Sequence, residues 1–253
     1  MIFIFVTFFA AILLTKTLTM DKKAERIQTS VLNGPERKAL IWMAGRMPGW
    51  VTSDMLTWFG VFGSVLIGLG YVLSNFSVQW LWLSSFGLLV NWFGDSLDGT
   101  VARVRNTQRP IYGYYLDHTV DGINELMMFL GIGLSPYLNL YTAMSMLVVY
   151  LLLTLNVSMA AHLKAEFKLT YAGLGPTEFR LIAILLNTGL IFIAPWREFE
   201  RVFHILGKTI YAHALDYPGL VILAILIVIY VVTIWQDLHY YAKIDPMPKQ
   251  KDE

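Results

Sequence analysis

The chain has 253 residues, of which 56% are hydrophobic and 15% are charged, and it contains no cysteine. Soluble domains carry about 25% charged residues, so this composition indicates a membrane protein. The net charge of +1 argues against a nucleic-acid partner, which needs a basic stripe, and the absence of cysteine excludes disulfides, thiolate zinc sites and cysteine nucleophiles.

The first part of the chain divides into two segments. Residues 1–19 contain a short apolar run, Ile2 to Leu14, which at 1.5 Å per residue spans about 20 Å, less than a comfortable membrane crossing. We assign this segment no role. Residues 20–48 are basic and predict a helix over Glu36 to Met47 that lies in the membrane interface. The alternative is an ordinary amphipathic helix that packs on a soluble partner.

Six apolar runs follow, and a helix of roughly 20 apolar residues crosses the hydrocarbon core of a membrane. They lie near Thr52–Ser74, Val78–Val101, Tyr114–Leu134, Asn139–Leu163, Thr177–Ile193 and Tyr217–Trp235. The sequence therefore predicts an all-α integral membrane protein, with a six-transmembrane-helix bundle over residues 49–242 behind the interfacial helix. Residues 243–253 form a charged tail. Single asparagines inside the apolar runs are predicted to form hydrogen bonds between helices; they are Asn91, Asn156 and Asn187.

Lysine and arginine concentrate before the first run, in alternate connections and in the tail. By the positive-inside rule, this pattern places both ends of the bundle and the connection between runs two and three in the cytoplasm. We expect the membrane to be a bacterial inner membrane. Only the connection between runs five and six breaks the rule, with Arg197, Arg201 and Lys208.

Four aspartates lie where the second and third runs meet. Asp95 and Asp98 are three residues apart, and Asp117 and Asp121 are four apart, so each pair occupies one face of its helix. Because the connection is short, we expect the two helices to be antiparallel neighbours. The four carboxylates then converge near the cytoplasmic surface.

Clustered acids near a bilayer are costly, and they repel one another unless positive charge lies between them. Neither run contains lysine. Oxygen ligands without sulfur suit Mg²⁺ or Mn²⁺, and we predict two ions, which would balance four carboxylates. Such a site beside a base suits phosphoryl transfer. The alternative is a set of four acids solvated at a wet helix end.

The spacing of these residues resembles a known family. The run reads Asp95-x2-Asp98-Gly99-x2-Ala102-Arg103-x9-Gly113-x3-Asp117-x3-Asp121, which closely resembles the signature of the CDP-alcohol phosphotransferases. The family has eight residues where this chain has nine, so the extra residue falls in the loop near Pro110. Residues Trp50 to Thr57 are similar to the family's Pro-Asn-x-Leu-Thr sequence, with Asp54 in place of the asparagine.

The resemblance implies a reaction and a role for each motif residue. Phosphoalcohol would pass from a CDP-linked donor to the hydroxyl of an acceptor alcohol, with release of CMP, during phospholipid synthesis. The implied metal ligands are Asp95, Asp98, Asp117 and Asp121, and Asp121 would also be the general base. The implied CDP-binding residues are Gly99, Ala102, Arg103 and Gly113. The family also favours a homodimer among membrane lipids.

Two positions bear on the substrate. His118 between Asp117 and Asp121 resembles the choline and ethanolamine phosphotransferases, and Gly122 stands where members that accept inositol phosphate tend to carry arginine. We therefore expect a CDP-head-group donor and a lipid acceptor. The alternative is CDP-diacylglycerol with a small soluble acceptor of the inositol or glycerol phosphate type. His118 has a second interpretation, as a helix residue that faces a neighbouring polar group.

The connection before the fifth run adds a basic group and a helix start. Arg180, with His162, Lys164 and Lys168, is placed to meet a polar head group, or simply forms a solvated basic loop. Thr177 is predicted as the N-cap of the fifth helix.

The alternative function from another class is a cation-coupled transporter, since intramembrane carboxylates also bind transported ions.

Overall fold

The computed structural model describes residues 32–164, 175–205 and 208–247, and this part of the chain is mostly helical. The helices are α1 (Asn33–Arg46), α2 (Ser53–Leu73), α3 (Leu81–Val104), α4 (Pro110–Gly133), α5 (Leu140–Lys164), α6 (Pro176–Phe192), α7 (Ala194–Arg197) and α8 (Asp216–Ile244). Strands β1 (Glu200–Ile205) and β2 (Lys208–His213) lie between α7 and α8. Several predictions lie outside the described residues, namely those for residues 1–19, for the side chains of His162 and Lys164, and for Lys168.

Each of the six predicted apolar runs forms a helix, namely α2 to α6 and α8. Among the residues that the structure describes, three segments are long and apolar enough to cross a membrane by length and composition: Ser53–Leu73, Leu140–Ala160 and Asp216–Ile244. Helices α3 and α4 carry the aspartates, and α6 has only 17 residues. The helices are thus confirmed, while the count of six membrane crossings stays a prediction.

The all-α prediction fails between α7 and α8, where β1 and β2 pair antiparallel, with Glu200 opposite His213 and Ile205 opposite Lys208. Both strands are rich in β-branched and aromatic residues, which favour extended backbone in so short a segment. The hairpin is anchored by Asp216, whose carboxylate accepts hydrogen bonds from the backbone nitrogen of His213 at 2.7 Å and of Asn139 at 3.0 Å.

Helices α2 and α3 approach one another at glycines. A Cβ atom on Gly63 would overlap the backbone nitrogen of Asn91, and one on Gly94 would overlap that of Gly60. Backbones this close leave no room for side chains between them, so the height of α3 relative to α2 is fixed. That contact places the aspartates of α3.

Helix α4 also packs on α2. A Cβ atom on Gly131 would overlap the Cα atom of Gly68. Among the described elements, α3 and α4 each pack mainly against α2, with little contact between them. This differs from the expected packing of two antiparallel neighbours, because the glycine-rich α2 accommodates both helices and leaves a cleft between them.

The three asparagines form the predicted hydrogen bonds between helices. Asn91 Nδ2 donates to the Gly60 carbonyl at 3.1 Å, Asn156 Nδ2 to Asp237 at 3.2 Å, and Asn187 Nδ2 to Ser85 at 3.2 Å. Each bond pairs an amide group within an apolar run, and each connects one helix to another.

Helix α1 begins at Asn33, three residues before the predicted start, because Pro35 is tolerated within a first helical turn. Its buried residues, Leu40 and Ala44, pack against Leu97 and Val101 of α3. Ile41, beside Leu40 in the sequence, is exposed. The helix therefore packs along the end of α3, and its location at the membrane interface stays a prediction.

Substitution of Gly63 by alanine tests the close contact between α2 and α3. We expect Gly63→Ala to lower the free energy of unfolding by about 1–3 kcal/mol, because the new methyl group meets backbone that cannot move independently. Gly45→Ala is the matched helical control, since a Cβ atom there meets nothing within 4 Å. Thermal unfolding in detergent measures both, and equal melting temperatures would contradict the packing described.

Candidate active site

Three of the four predicted metal ligands come together at the cleft between α3 and α4. Asp95, Asp117 and Asp121 each offer a carboxylate oxygen, and these oxygens all lie within 4.8 Å of one another. All three residues are partly buried. The helical spacing read from the sequence thus places acids from two helices at one point.

Asp98 is not part of this close group. One of its carboxylate oxygens accepts a hydrogen bond from Thr57 Oγ1 on α2 at 2.7 Å, and the other accepts from the Gly99 backbone nitrogen. The prediction that four carboxylates converge is therefore confirmed for three of them. Asp98 differs because Thr57, one helix away, provides a hydroxyl donor that holds its side chain toward α2.

Arg180 of α6 places a positive charge directly against one of these acids. Its Nη2 lies 2.6 Å from Asp95 Oδ2, and its Nε donates to Asn91 Oδ1 at 2.9 Å. The Arg180 and Asp95 side chains are only 13% and 27% exposed, so the pair is weakly screened. The sequence indicated Arg180 as a basic group near the site, but its pairing with Asp95 depends on where α6 packs.

A cavity of about 630 Å³ opens beside these acids. Its wall includes all but one of the residues that the sequence motif predicts, namely Asp95, Asp98, Gly99, Ala102, Arg103, Gly113 and Asp117. Asp121 belongs to the close carboxylate group and is absent from the cavity wall. The structure thus gathers seven of the eight motif residues around one space.

The small residues of the motif keep this space open. A Cβ atom on Gly99 would lie 3.2 Å from Arg103 Nη1, and one on Gly113 would meet nothing within 4 Å. Arg103 Nη2 donates to Thr100 Oγ1 at 3.0 Å. The guanidinium therefore lies along its own helix at the cavity wall, where it can bind a phosphate through two parallel hydrogen bonds.

The carboxylate group fits a hard divalent ion. Its ligands are all oxygens, which Mg²⁺ and Mn²⁺ prefer. Two oxygens on opposite sides of Mg²⁺ lie about 4 Å apart, so the observed spread of up to 4.8 Å requires only small side-chain movements. The residues present therefore fit one such ion, and the second ion stays a prediction.

His118 interacts within its own helix. Its Nδ1 lies 3.1 Å from the Tyr114 carbonyl oxygen, and the two rings are 4.0 Å apart between centroids. His118 is also absent from the cavity wall. These contacts favour its interpretation as a helix residue beside a polar neighbour.

Helix α6 starts differently from the prediction that Thr177 is its N-cap. Gly175 occupies that position, and its backbone nitrogen donates to Glu178 at 2.9 Å. Thr177 Oγ1 instead donates to Glu36 of α1 at 2.7 Å, and the same Glu36 oxygen accepts from Trp92 of α3 at 2.8 Å. The helix thus begins at Pro176, two residues earlier than a Thr177 N-cap would give, which leaves the threonine hydroxyl available to connect α6 to Glu36 of α1 at the cavity.

Removal of the Arg180 charge tests its electrostatic role. We expect Arg180→Met to lower the free energy of unfolding by about 2–4 kcal/mol in a chelator, because Asp95 loses its buried partner. The loss should be smaller in Mg²⁺, since a bound ion supplies charge to the same group. Thermal unfolding in both buffers measures this difference.

The matched control is Arg46→Met, which removes an exposed arginine of α1 that stacks on Trp42. We expect a change within about 0.5 kcal/mol for this control. An Arg180→Met protein as stable as the parent in chelator would show that the ion pair does not stabilise the site.

Comparison with known proteins identifies the family of this chain. A sequence model of the CDP-alcohol phosphatidyltransferase family matches residues 50–236. The chain is also 37% identical over 86 residues to a phosphatidylinositol phosphate synthase from Cutibacterium acnes, an alignment that covers 33% of this chain and 38% of the relative. Because the family match includes α2 to α6 and every motif residue, the chain belongs to the CDP-alcohol phosphatidyltransferase family.

Proposed function

We propose that this protein transfers a phosphatidyl group from CDP-diacylglycerol to the hydroxyl of a small water-soluble acceptor, with release of CMP. The observation that carries the proposal is the meeting of Asp95, Asp117 and Asp121 beside a cavity lined by Gly99 and Arg103. Family membership favours this transferase over a cation-coupled transporter. The reaction belongs to phospholipid synthesis.

The chemistry assigned to the chain is a proton transfer coupled to a displacement at phosphorus. Asp121 takes the proton of the acceptor hydroxyl, and the acceptor oxygen forms a bond to the phosphorus that carries diacylglycerol. The bond from that phosphorus to the bridging oxygen breaks, and CMP leaves with the bonding electrons. Arg103 holds a phosphate at the cavity wall, and Arg180 fixes the orientation of Asp95.

The proposed ligands of Mg²⁺ or Mn²⁺ are the four aspartates Asp95, Asp98, Asp117 and Asp121. When bound, the divalent ions supply positive charge beside the diphosphate. The Asp98 oxygen that accepts from Thr57 has a second lone pair that could bind an ion, so Asp98 could join the other three while it keeps this hydrogen bond. Gly99, Ala102 and Gly113 leave room for the CDP moiety.

The choice of donor rests on the relative and on the cavity. The relative's name describes a product that joins a phosphatidyl group to inositol phosphate, and we take this as support for CDP-diacylglycerol as the donor with a small soluble acceptor. Arg37 and Arg109 line the cavity together with Arg103, so an acceptor phosphate has arginine partners even though Gly122 provides none. The contacts of His118 within α4 also remove one reason for a head-group donor.

A CDP-head-group donor with a lipid acceptor is the second candidate. It is supported by the sequence pattern of Asp117, His118 and Asp121 and by Gly122, which resembles the choline and ethanolamine enzymes.

For either donor, we propose that residues 49–242 form the six-span catalytic unit of a homodimer. The cavity then faces the cytoplasm of a bacterial inner membrane, as the distribution of lysine and arginine indicates.

Neutralisation of Asp121 tests its assignment as the base. We expect Asp121→Asn to reduce the Mg²⁺-dependent rate of CMP release about 10²–10⁴-fold, because an amide cannot accept the hydroxyl proton. Asp237→Asn is the matched control, since Asp237 lies on α8 and contacts Asn156 instead of the cavity. Retention of the parent rate in folded Asp121→Asn protein would exclude Asp121 as the base.

A substrate panel tests the donor and acceptor together. Purified protein with Mg²⁺ or Mn²⁺ is incubated with CDP-diacylglycerol plus inositol phosphate or glycerol phosphate, and separately with CDP-choline or CDP-ethanolamine plus diacylglycerol. We expect a phosphatidyl product by mass spectrometry only in the first set. A product only in the second set would establish the second candidate, and no CMP release in either would contradict the proposed function.

A further inference from the structure

Helices α1 and α6 are joined by two glutamates that reach in opposite directions. Glu36 of α1 accepts a hydrogen bond from Thr177 Oγ1 of α6 at 2.7 Å. Glu178 of α6 accepts one from the backbone nitrogen of Leu32, directly before α1, at 3.0 Å. Among the described residues, α1 otherwise packs mainly on α3, so these side chains provide most of the contact between α1 and α6. We call Glu36 and Glu178 the glutamate bridge.

Glu36 lies outside the part of the chain that the family pattern covers. The family match begins at residue 50, and the signature runs from Asp95 to Asp121. Glu36 and Thr177 nevertheless line the same cavity as the acids. The family pattern therefore assigns no role to Glu36, although the structure brings it to the site.

Glu36 contacts both of the helices that form the pair between Arg180 and Asp95. On α6, Thr177 lies three residues before Arg180, so the two residues are one helical turn apart. On α3, Trp92 Nε1 donates to the same Glu36 oxygen at 2.8 Å, and Trp92 lies three residues before Asp95. One carboxylate oxygen thus fixes the separation of α3 and α6 at a point one turn from the ion pair.

We propose that Glu36 is a positioning residue for the reaction, which holds the first turn of α6 against α3 so that Arg180 stays on Asp95. Glu178 supports it by binding the same turn of α6 to the start of α1. The contact of 2.6 Å between Arg180 and Asp95 is a charge-assisted hydrogen bond, which depends on distance and direction. This inference rests on the proposed function, and it extends the proposed catalytic unit to include α1.

A purely structural role is the alternative, and the remaining packing argues against it. Helix α1 is held on α3 by Leu40 and its apolar neighbours. Helix α6 is held by Asn187, which donates to Ser85 of α3 at 3.2 Å, about three turns beyond the bridge. Both helices therefore keep their places without Glu36. What the bridge adds is the position of the first turn of α6, where Arg180 lies.

The experiment is a double-mutant cycle of Glu36→Ala and Arg180→Met in the full-length protein. The assay is CMP release from CDP-diacylglycerol with inositol phosphate or glycerol phosphate in Mg²⁺. We expect Glu36→Ala alone to lower kcat about 10–100-fold, the loss seen when a supporting contact of a metal site is removed, with KM within about twofold of the parent.

The Arg180→Met background separates positioning from direct contact with substrate. In that background, Glu36→Ala should lower kcat less than about twofold, because the side chain that Glu36 positions is already gone. If Glu36 instead contacts the substrate, the losses from the two changes multiply.

A second cycle uses no substrate. The melting temperatures of the two single variants and the double variant are compared in a chelator. We expect the double variant to lose less than the sum of the single losses, since both changes release Asp95 from Arg180. Additive losses would show that Glu36 stabilises the fold without acting on Arg180.

Two further variants isolate the hydrogen bonds of the bridge. The amide oxygen of Glu36→Gln can accept from Thr177 and Trp92, so this variant should recover most of the rate that Glu36→Ala loses. Thr177→Val removes the hydroxyl between α1 and α6 and should lower kcat as well, which keeps the test open if Glu36→Ala does not fold. Glu198→Ala is the matched control, because its side chain is 70% exposed and lies outside the cavity wall.

The outcomes separate this inference from the proposed function. A parent that releases CMP, with losses that multiply in rate and add in melting temperature, overturns the positioning role and leaves the transferase standing. A Glu36→Ala protein with the parent rate has the same meaning. A parent that releases no CMP contradicts the proposed function and any role in that reaction, whereas the melting temperatures still decide whether Glu36 holds Arg180 on Asp95.

Discussion

Mutual repulsion of carboxylates is the constraint that the rest of this structure has to satisfy. Asp95, Asp117 and Asp121 are within 4.8 Å of one another, in a protein whose apolar helices offer little solvent to screen them. The fold opposes the repulsion by rigid positioning. Glycines let the backbones of α3 and α4 contact α2 directly, so neither helix can retreat without losing that packing.

Arg180 balances the charge of the acidic group only in part. Arg180 neutralises one carboxylate at 2.6 Å and is itself held by Asn91, which bonds to α2. The remaining acids still favour a cation of higher charge density. A structure with a complete set of internal counter-ions would be more stable without metal, but it would have no affinity for metal. Partial compensation therefore leaves net negative charge for the divalent ions that we propose.

The spacing of residues along one helix predicted which side chains share a face of that helix. Contacts between side chains of different helices depend on packing, and the hydrogen-bond partners in them were not predicted. Residues i, i+3 and i+4 share a face in any helix, so the grouping of Asp117 with Asp121 could be predicted before the fold was known. The partner of Asp98 could not, because Thr57 lies on another helix whose rotation the sequence does not specify. The same holds for Arg180 and Asp95. The β1–β2 hairpin was missed because a short strand within an otherwise helical chain has little periodic signal.

The cavity and helix α1 share residues, and this connection bears on how a lipid-linked substrate reaches the site. Glu36 of α1 accepts hydrogen bonds from Trp92 and Thr177 at 2.8 and 2.7 Å, so α1, α3 and α6 meet at the cavity wall. An amphipathic helix in the membrane interface lies at the depth of the phospholipid head groups. With α1 at that depth, as the sequence predicts, the adjoining acids would lie level with the phosphates of the membrane-embedded donor that we propose. The acyl chains would then not need to leave the bilayer for the diphosphate to reach Asp95 and Asp117.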